Sequence, residues 1–316
     1  MRLRRRRVER HPERQRRLAR PVISVGNLSV GGTGKTPVVA AIAQWLIDAG
    51  ERPAILSRGY ARADAADGVV VVSDGAGVRA PIERSGDEPL MLARQVPKAA
   101  VCVSPDRHLA GTLAEQQLGC TVHILDDGFQ HLELARQLDV LVTTLGEIPG
   151  GRVIPMGRLR EASDAAARAH FLVVSDATAG AAQKEAWDLG IQQSCGAARS
   201  LAAPVPLVPQ VPSVPVGKVL AIAGIAHPAR FFEALKPQHH VVETMAFADH
   251  HRYTPADVAA IDAKVKAAGA DAVFTTDKDA VRLEALSLPF PAYRVPLVVE
   301  FDPSDALRQS VVSVLA

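Results

Sequence analysis

Short, mostly apolar runs recur along the first half of the chain, each ending in a polar or glycine-rich step. Residues 22–25, 53–57, 69–73, 99–103, 121–125, 138–143 and 171–175 read this way. Runs of this length, bounded by turn residues, mark buried strands. Helical periods lie between them. Val38, Val39, Ile42, Trp45 and Leu46 share one broad face, Leu90, Leu92 and Ala93 follow Gly86-Asp-Glu-Pro89, and residues 108–118 form another helix. The alternation predicts an α/β fold, a mostly parallel sheet with helices on both faces. Ligands then bind beyond the carboxyl ends of strands, where the polar clusters fall.

Pro204, Pro206, Pro209, Pro212 and Pro215 interrupt the pattern, and proline this dense excludes helix interior. A second, smaller α/β set follows, with strands at 218–223, 240–247 and 272–275 and a closing strand at 295–301. Its helices begin near Arg230-Phe-Phe232, at 255–267 and after Thr276. The expected layout is a basic arm over 1–20, a main domain over 21–203, a linker or ribbon over 204–216 and a smaller α/β domain over 217–316. No internal repeat is visible.

The first strand carries the chemistry. After residues 22–25 come Gly31, Gly32, Thr33, Gly34, Lys35 and Thr36, and then the helix. Strand, glycine loop, Gly-Lys-Thr and helix form the phosphate-binding P-loop arrangement. Backbone N–H groups close around phosphate oxygens, helped by the helix N-terminus. Lys35 is placed to reach the β/γ-phosphates and the Thr36 hydroxyl to sit on Mg²⁺. The usual pattern has a further glycine where this chain has Ser29. A glycine-rich turn that binds nothing is the plainer alternative. The fold class is thus a P-loop NTPase-type α/β sheet plus a second, smaller α/β domain.

Residues 122–127 deliver Asp126 and Asp127 into a turn at Gly128, where a P-loop enzyme needs a carboxylate for Mg²⁺. Adjacent strand residues point opposite ways, so the two aspartates have distinct tasks, unless they only cap the turn. His123 inside the strand reads as a core histidine. Asp106, behind Pro105, is a general base, a metal ligand or the N-cap of the next helix. Gln130 and His131 are either substrate-binding or structural. His250 is a base or orients one, and His250-His251 is no metal pair.

Composition adds limits. The chain has 316 residues, is 48% hydrophobic and carries a net charge of only +2, which argues against a protein devoted to nucleic acid. The arginines are concentrated in residues 1–20, a basic arm that meets anionic lipid or nucleic acid, or is a solvated tail. Cys102, Cys120 and Cys195 lack metal or redox spacing and suit a reducing compartment. Without a secretory signal or a membrane-length apolar run, the expected location is cytoplasmic, either free or peripheral to a membrane.

A resemblance then becomes specific. The chain resembles the tetraacyldisaccharide 4′-kinase family, the lipid A 4′-kinases of Gram-negative bacteria. The motifs run in order from the Ser-started P-loop, residues 25–37, through Ser57-Arg-Gly-Tyr60, Gly86-Asp-Glu-Pro89, Asp126-Asp-Gly-Phe-Gln-His131 and Gly157-Arg-Leu-Arg-Glu161. They continue with Gly224-Ile-Ala226, Pro228, Arg230-Phe-Phe232, Asp249-His250 and Thr276-Asp-Lys-Asp-Ala-Val281. The family's own P-loop lacks the first glycine, which accounts for Ser29.

The resemblance implies transfer of the ATP γ-phosphate to the 4′-hydroxyl of an acylated glucosamine disaccharide phosphate, with ATP and Mg²⁺ as cofactors. It implies two domains joined by a short β ribbon and closing over nucleotide. It places Asp106 as the base with His250 its partner, and Asp126 and Asp127 as organisers of Mg²⁺. It turns Arg58, Tyr60, Arg107, Gln130, His131, Arg160 and Glu161 toward acceptor or phosphates. The partners it implies are the lipid A precursor and the cytoplasmic face of the inner membrane, with no nucleic acid and no obligate protein. Three departures stand out. Members usually begin with an apolar amphipathic helix, whereas this chain starts Met1-Arg-Leu-Arg4; either the start is late or the arginine arm does the docking. Asp277 replaces a usual Glu, and Ala162 a usual Pro. The competing functions are a P-loop kinase of a soluble sugar or nucleoside, and a GTP-binding switch. The switch needs Asn/Thr-Lys-x-Asp, and Thr276-Asp-Lys-Asp279 has its Lys one place late.

Overall fold

The computed structural model describes residues 11, 13, 15–59, 68–207 and 217–315. The chain divides into two compact units, Met1–Arg199 with Val299–Ala316, and Ser200–Val298.

Among the described residues the first unit is built on a nine-stranded sheet. Its strands are β1 (Val22–Gly26), β2 (Pro53–Ser57), β3 (Val70–Asp74), β4 (Ala100–Val103), β5 (Val122–Asp126), β6 (Leu138–Thr144), β7 (Phe171–Ser175), β8 (Gln193–Leu201) and β14 (Leu297–Asp302). Their order is β14-β8-β7-β6-β1-β5-β2-β4-β3. β1 pairs in parallel with both β5 and β6, and edge strand β3 runs antiparallel to β4. Strand order therefore reverses at β1, which opens a crevice at its carboxyl end. β1, β2, β4, β5 and β7 are buried along their whole length, as strands covered on both faces must be.

Helices α1 (Lys35–Asp48), α2 (Ile82–Ser85), α3 (Asp87–Gln95), α4 (Arg107–Leu118) and α5 (Ala179–Asp188) join these strands. Val38, Val39, Ile42, Ala43 and Leu46 bury the inner face of α1. Residues 15–20 are stitched down rather than loose. Gln15 Nε2 donates to the Leu132 carbonyl at 2.8 Å, the Arg20 N–H to Glu115 at 2.8 Å, and Arg16 forms a bridge with Leu134. The rest of the arginine arm lies outside the described residues, apart from residues 11 and 13.

The second unit holds a five-stranded sheet ordered β11-β10-β12-β13-β9. The strands are β9 (Val205–Pro206), β10 (Lys218–Ala223), β11 (His240–Ala246), β12 (Ala272–Thr276) and β13 (Ala292–Val295). They are parallel except β9, which is antiparallel to β13. Helices α6 (Pro228–Leu235), α7 (Pro255–Ala268) and α8 (Asp277–Leu283) bracket them. Phe231, Phe232, Leu235, Phe274 and Tyr293 form one core cluster, and Tyr253, Val258, Ile261 and Leu283 belong to another. Most of the expected linker is outside the described residues, but β9 belongs to this sheet.

The carboxyl end differs from the sequence expectation. Residues 295–301 are not one strand closing the smaller sheet. Pro296, which has no N–H to give a ladder, separates β13 from β14. β14 lies in the nine-stranded sheet, and residues 299–316 group with the first unit. Phe301 packs on Trp45 of α1 with ring centroids 5.2 Å apart, and Leu307 and Val311 of α9 (Ala306–Val312) are fully buried. Leu307→Ala is therefore expected to destabilise the first unit by about 2–4 kcal/mol. Urea denaturation followed by Trp fluorescence measures this, and a loss under about 1 kcal/mol would detach the tail from that core.

Candidate active site

The crevice at the end of β1 is lined by groups from three strand ends. Gly34 sits in the left-handed region (φ 88°) as N-cap of α1 and offers no side-chain cap, and α1 has no acidic residue in its first turn. The leading N–H groups of α1 thus face the crevice without a capping side chain, the arrangement that binds phosphate. Asn27 Nδ2 donates to the buried Thr33 hydroxyl at 3.1 Å, and Ser175 Oγ donates to the Thr33 carbonyl at 2.8 Å. These bonds fix the loop, so Thr33 serves through its backbone.

Lys35 Nζ lies 3.4 Å from Asp127 Oδ1, and Arg160 Nη1 donates to Asp127 Oδ2 at 2.8 Å. Burial acts to raise the Asp127 pKa, but the Lys35 charge and the Arg160 bond outweigh it and hold the carboxyl below its ordinary value. Asp126 behaves oppositely. It is buried, and burial first, then the charges of Glu88 and Asp127, push it from 3.8 to about 6. Ser57 Oγ donates to it at 3.2 Å. The adjacent aspartates thus divide into a paired anion and a strained one.

Arg107 is buried beside them. Burial and the Arg58 charge lower its pKa to about 10, while Asp126 and Asp127 work against that. Gln130 accepts from Arg160 at 3.3 Å and donates to the Asn27 carbonyl at 2.8 Å, tying Arg160 to the loop after β1. The structure therefore brings together Lys35, Asp126, Asp127, Arg58, Arg107, Gln130 and Arg160.

Other expected residues have different partners. Asp106 is the N-cap of α4, accepting from the Leu109 N–H at 3.1 Å, and Arg16 Nη2 donates to its Oδ1. Burial tends to raise its pKa, but the Arg16 bond and the cap prevail and hold it below the ordinary value. Glu161 is buried and clasped by Arg168 at 3.0 and 3.2 Å, so its carboxylate is engaged inside the fold and does not face acceptor or phosphates. The Arg168 guanidinium in turn lies 4.3 Å from the Phe129 ring centroid. His131 is half-buried after the β5 turn, and Tyr60 lies outside the described residues. His250 belongs to the second unit, at positive φ (59°), with Nδ1 3.3 Å from Arg282 Nη2. Arg282 is itself fixed to the buried Asp279 at 3.1 Å.

Two groups were given no role from sequence. Glu88, in the first turn of α3, appeared only within the motif Gly86-Asp-Glu-Pro89, and its charge acts on Asp126. Asp176, at φ 57° just past β7, is gripped through both oxygens by Arg199, whose Cδ borders the space beside Gly34. No local signal marks that pair.

Two observations test the fit of nucleotide and metal. Arg107 Nε is buried without a hydrogen-bond partner, a donor suited to an anion, and Asp127 Oδ1 has only the Lys35 ammonium at 3.4 Å, an acceptor suited to a cation. Asp126, Asp127 and the Thr36 hydroxyl are hard oxygen donors, as Mg²⁺ prefers. Among the described residues no group of three or more His, Cys, Asp or Glu could hold a metal ion.

A glycine loop at a reversed strand order, an uncapped helix N-terminus, a lysine and paired aspartates define a P-loop phosphotransferase. The chain belongs to the tetraacyldisaccharide-1-P 4′-kinase family, whose model matches residues 1–316. A tetraacyldisaccharide 4′-kinase of Geobacter sulfurreducens is 41% identical over 298 residues, 92% of this chain and 82% of that one. One from Pelobacter propionicus is 43% identical over 280 residues, 86% of this chain and 76% of that one. The structure of LpxK from Aquifex aeolicus in complex with ATP matches with a TM-score of 0.79 at 29% identity, covering 99% of this chain and 94% of that one. The chain is therefore an ATP-dependent kinase of lipid A biosynthesis that uses Mg²⁺ and acts on a lipid A precursor, and neither a soluble-sugar kinase nor a GTP switch. Among the described residues no helix is long and apolar enough to cross a membrane.

The Asp126 pKa makes a stability prediction. The folded chain keeps a proton between pH 3.8 and about 6 that the unfolded chain has lost. Stability therefore falls as pH rises through that window, by up to about 3 kcal/mol, and the loss is complete above it. Without nucleotide, Asp126→Asn is expected to melt above wild type at pH 7.5 and to lose that advantage near pH 4. Parallel melting curves across this range check it; an unchanged gap at both ends would show that Asp126 carries no buried charge.

Proposed function

We propose that the loop between β1 and α1 holds the ATP triphosphate. Lys35, Thr36, Asp126 and Asp127 then direct γ-phosphate transfer to the 4′-hydroxyl of the tetraacylated disaccharide 1-phosphate. The observation that carries this is Asp127 shared by Lys35 and Arg160 beside an uncapped helix N-terminus. Mg²⁺ would supply charge neutralisation to the phosphates, and Asp126, Asp127 and the Thr36 hydroxyl would hold it. Lys35 reaches toward the β/γ-phosphates, and Arg160, Arg107 and Arg58 stabilise negative charge on the transferring group. Gln130 keeps Arg160 aimed, with His131 beside the acceptor. The reaction takes place at the cytoplasmic face of the inner membrane, with the protein bound peripherally and the arginine arm contributing charge attraction.

For the proton acceptor, Asp106 keeps the role its motif implies, with His250 its motif-implied partner; without substrate its carboxylate accepts from Arg16 and caps α4. The left-handed backbone of His250 and its bond to Arg282 are features of a residue held in one pose for a task.

Phosphate transfer from labelled ATP to the tetraacyl disaccharide in detergent tests both readings. Lys35→Ala is expected to lose roughly a thousandfold in kcat with an unchanged circular dichroism spectrum. Near-normal turnover in a folded Lys35→Ala protein would refute the P-loop assignment. Asp106→Asn is expected to lose at least about a hundredfold in kcat with ATP affinity kept. If Asp106→Asn instead keeps its turnover and only melts at a lower temperature, Asp106 is the α4 cap and not the base.

A further inference from the structure

The turn that precedes Arg160 has a surface at odds with its order. Residues 151–158 are all exposed, up to Leu159, which is 1% exposed. Within them Val153, Ile154, Pro155 and Met156 put four apolar side chains in a row into solvent, with Met156 74% exposed and Ile154 48%. Single exposed apolar residues are ordinary; a consecutive run of them calls for a partner.

The turn is firmly built. The Ile154 N–H donates to the Leu159 carbonyl at 2.9 Å, and the Leu159 N–H to the Arg152 carbonyl at 3.0 Å. Gly157 packs so closely that a Cβ there would lie 2.3 Å from the Arg152 carbonyl oxygen, so no other residue fits without a shift. The base of the turn is tied to the phosphate-binding loop. The Val30 N–H donates to the Arg158 carbonyl at 2.9 Å, and Arg158 Nη2 donates back to the Val30 carbonyl at 2.7 Å. Val30 is itself 40% exposed. The apolar tip is therefore flanked by Arg152 and Arg158, and the chain runs straight on through Leu159 to Arg160 on Asp127.

We propose that this turn, with Val30, is the surface that docks the enzyme on an anionic bilayer. Ile154 and Met156 enter the interface while Arg152 and Arg158 meet lipid phosphates. Apolar tips flanked by guanidinium groups suit the boundary between acyl chains and anionic headgroups. The proposal rests on the reading that the acceptor is a lipid held in that bilayer. Docking there places the phosphate-binding loop and Arg160 next to the acceptor's headgroup, because both are hydrogen-bonded parts of the same structure.

The test uses the full chain and vesicles of phosphatidylcholine with or without phosphatidylglycerol. The double variant Ile154→Ser/Met156→Ser is expected to partition onto the anionic vesicles at least about tenfold less than wild type, with ATP binding unchanged. In a Met156→Cys protein labelled with an environment-sensitive dye, emission should shift to the blue on anionic vesicles. The native cysteines Cys102, Cys120 and Cys195 are buried and do not compete for label. Equal partitioning without a blue shift overturns the proposal. A shift that appears only when the acceptor lipid is added also overturns it, making the turn an acyl-chain subsite instead. If the serine variant is unstable, the dye shift alone decides. Failure of the underlying kinase reading would appear separately, as absent wild-type transfer to the acceptor in detergent.

Discussion

Lys35 leaves the first turn of α1 and comes within 3.4 Å of Asp127 beyond β5, while Arg160 takes the other oxygen at 2.8 Å. Asp127 is an anion between two cations from different parts of the chain, and removing either would leave poorly solvated charge behind. This pairing ties the phosphate-binding loop, the β5 turn and the segment ending at Arg160 into one assembly. Asp127 accepts a left-handed backbone (φ 52°) to reach it. Strain at such a position persists only where surrounding bonds fix it, and Lys35 and Arg160 supply those bonds.

Charge is concentrated here at a cost to the fold. Asp126 is held near pH 6 by burial and by Glu88, and Arg107 is buried against Arg58. Each like-charge neighbour destabilises the chain without ligand. Each also becomes favourable when a group of opposite sign arrives, Mg²⁺ beside the carboxylates and phosphate beside the arginines. On the far side of the P-loop, by contrast, Asp176 also has a left-handed backbone but is clasped by Arg199 next to Gly34, so its charge is already paired.

The turn over 152–158 shows how surface and site are joined. Its apolar tip and its bonds to Val30 sit within a few residues of Arg160, so the proposed docking surface and the phosphate-binding loop share one hydrogen-bonded piece of backbone.

Elements with strong contrast were legible before any coordinates. Buried parallel strands such as β1, β2, β5 and β7 are continuous apolar runs ended by turn residues, and both signals are local. Lys35, Asp126 and Asp127 were legible because strand-end position and residue type together limit their chemistry, and Arg160 through the family motif Gly157-Arg-Leu-Arg-Glu161. β8 and α5 were missed: Gln193–Leu201 mixes Ser, Gly and Arg, and the apolar positions of Ala179–Asp188 are alanines and Trp187, so neither carries a clear period. The allotment of residues 299–316 to the first unit was also hidden, because it depends on Phe301 finding Trp45 and on burial of Leu307. Asp106 and Glu161 were expected as base and as a group facing acceptor or phosphates. Only the fold showed that one is bonded by Arg16 and the other held by Arg168. The sequence alone thus determined which elements form and which chemical groups stand at their ends, since period and turn preference act over a few residues. Tertiary structure decided which cation meets which carboxylate, because those pairings follow from strand order and bring together residues far apart in the chain.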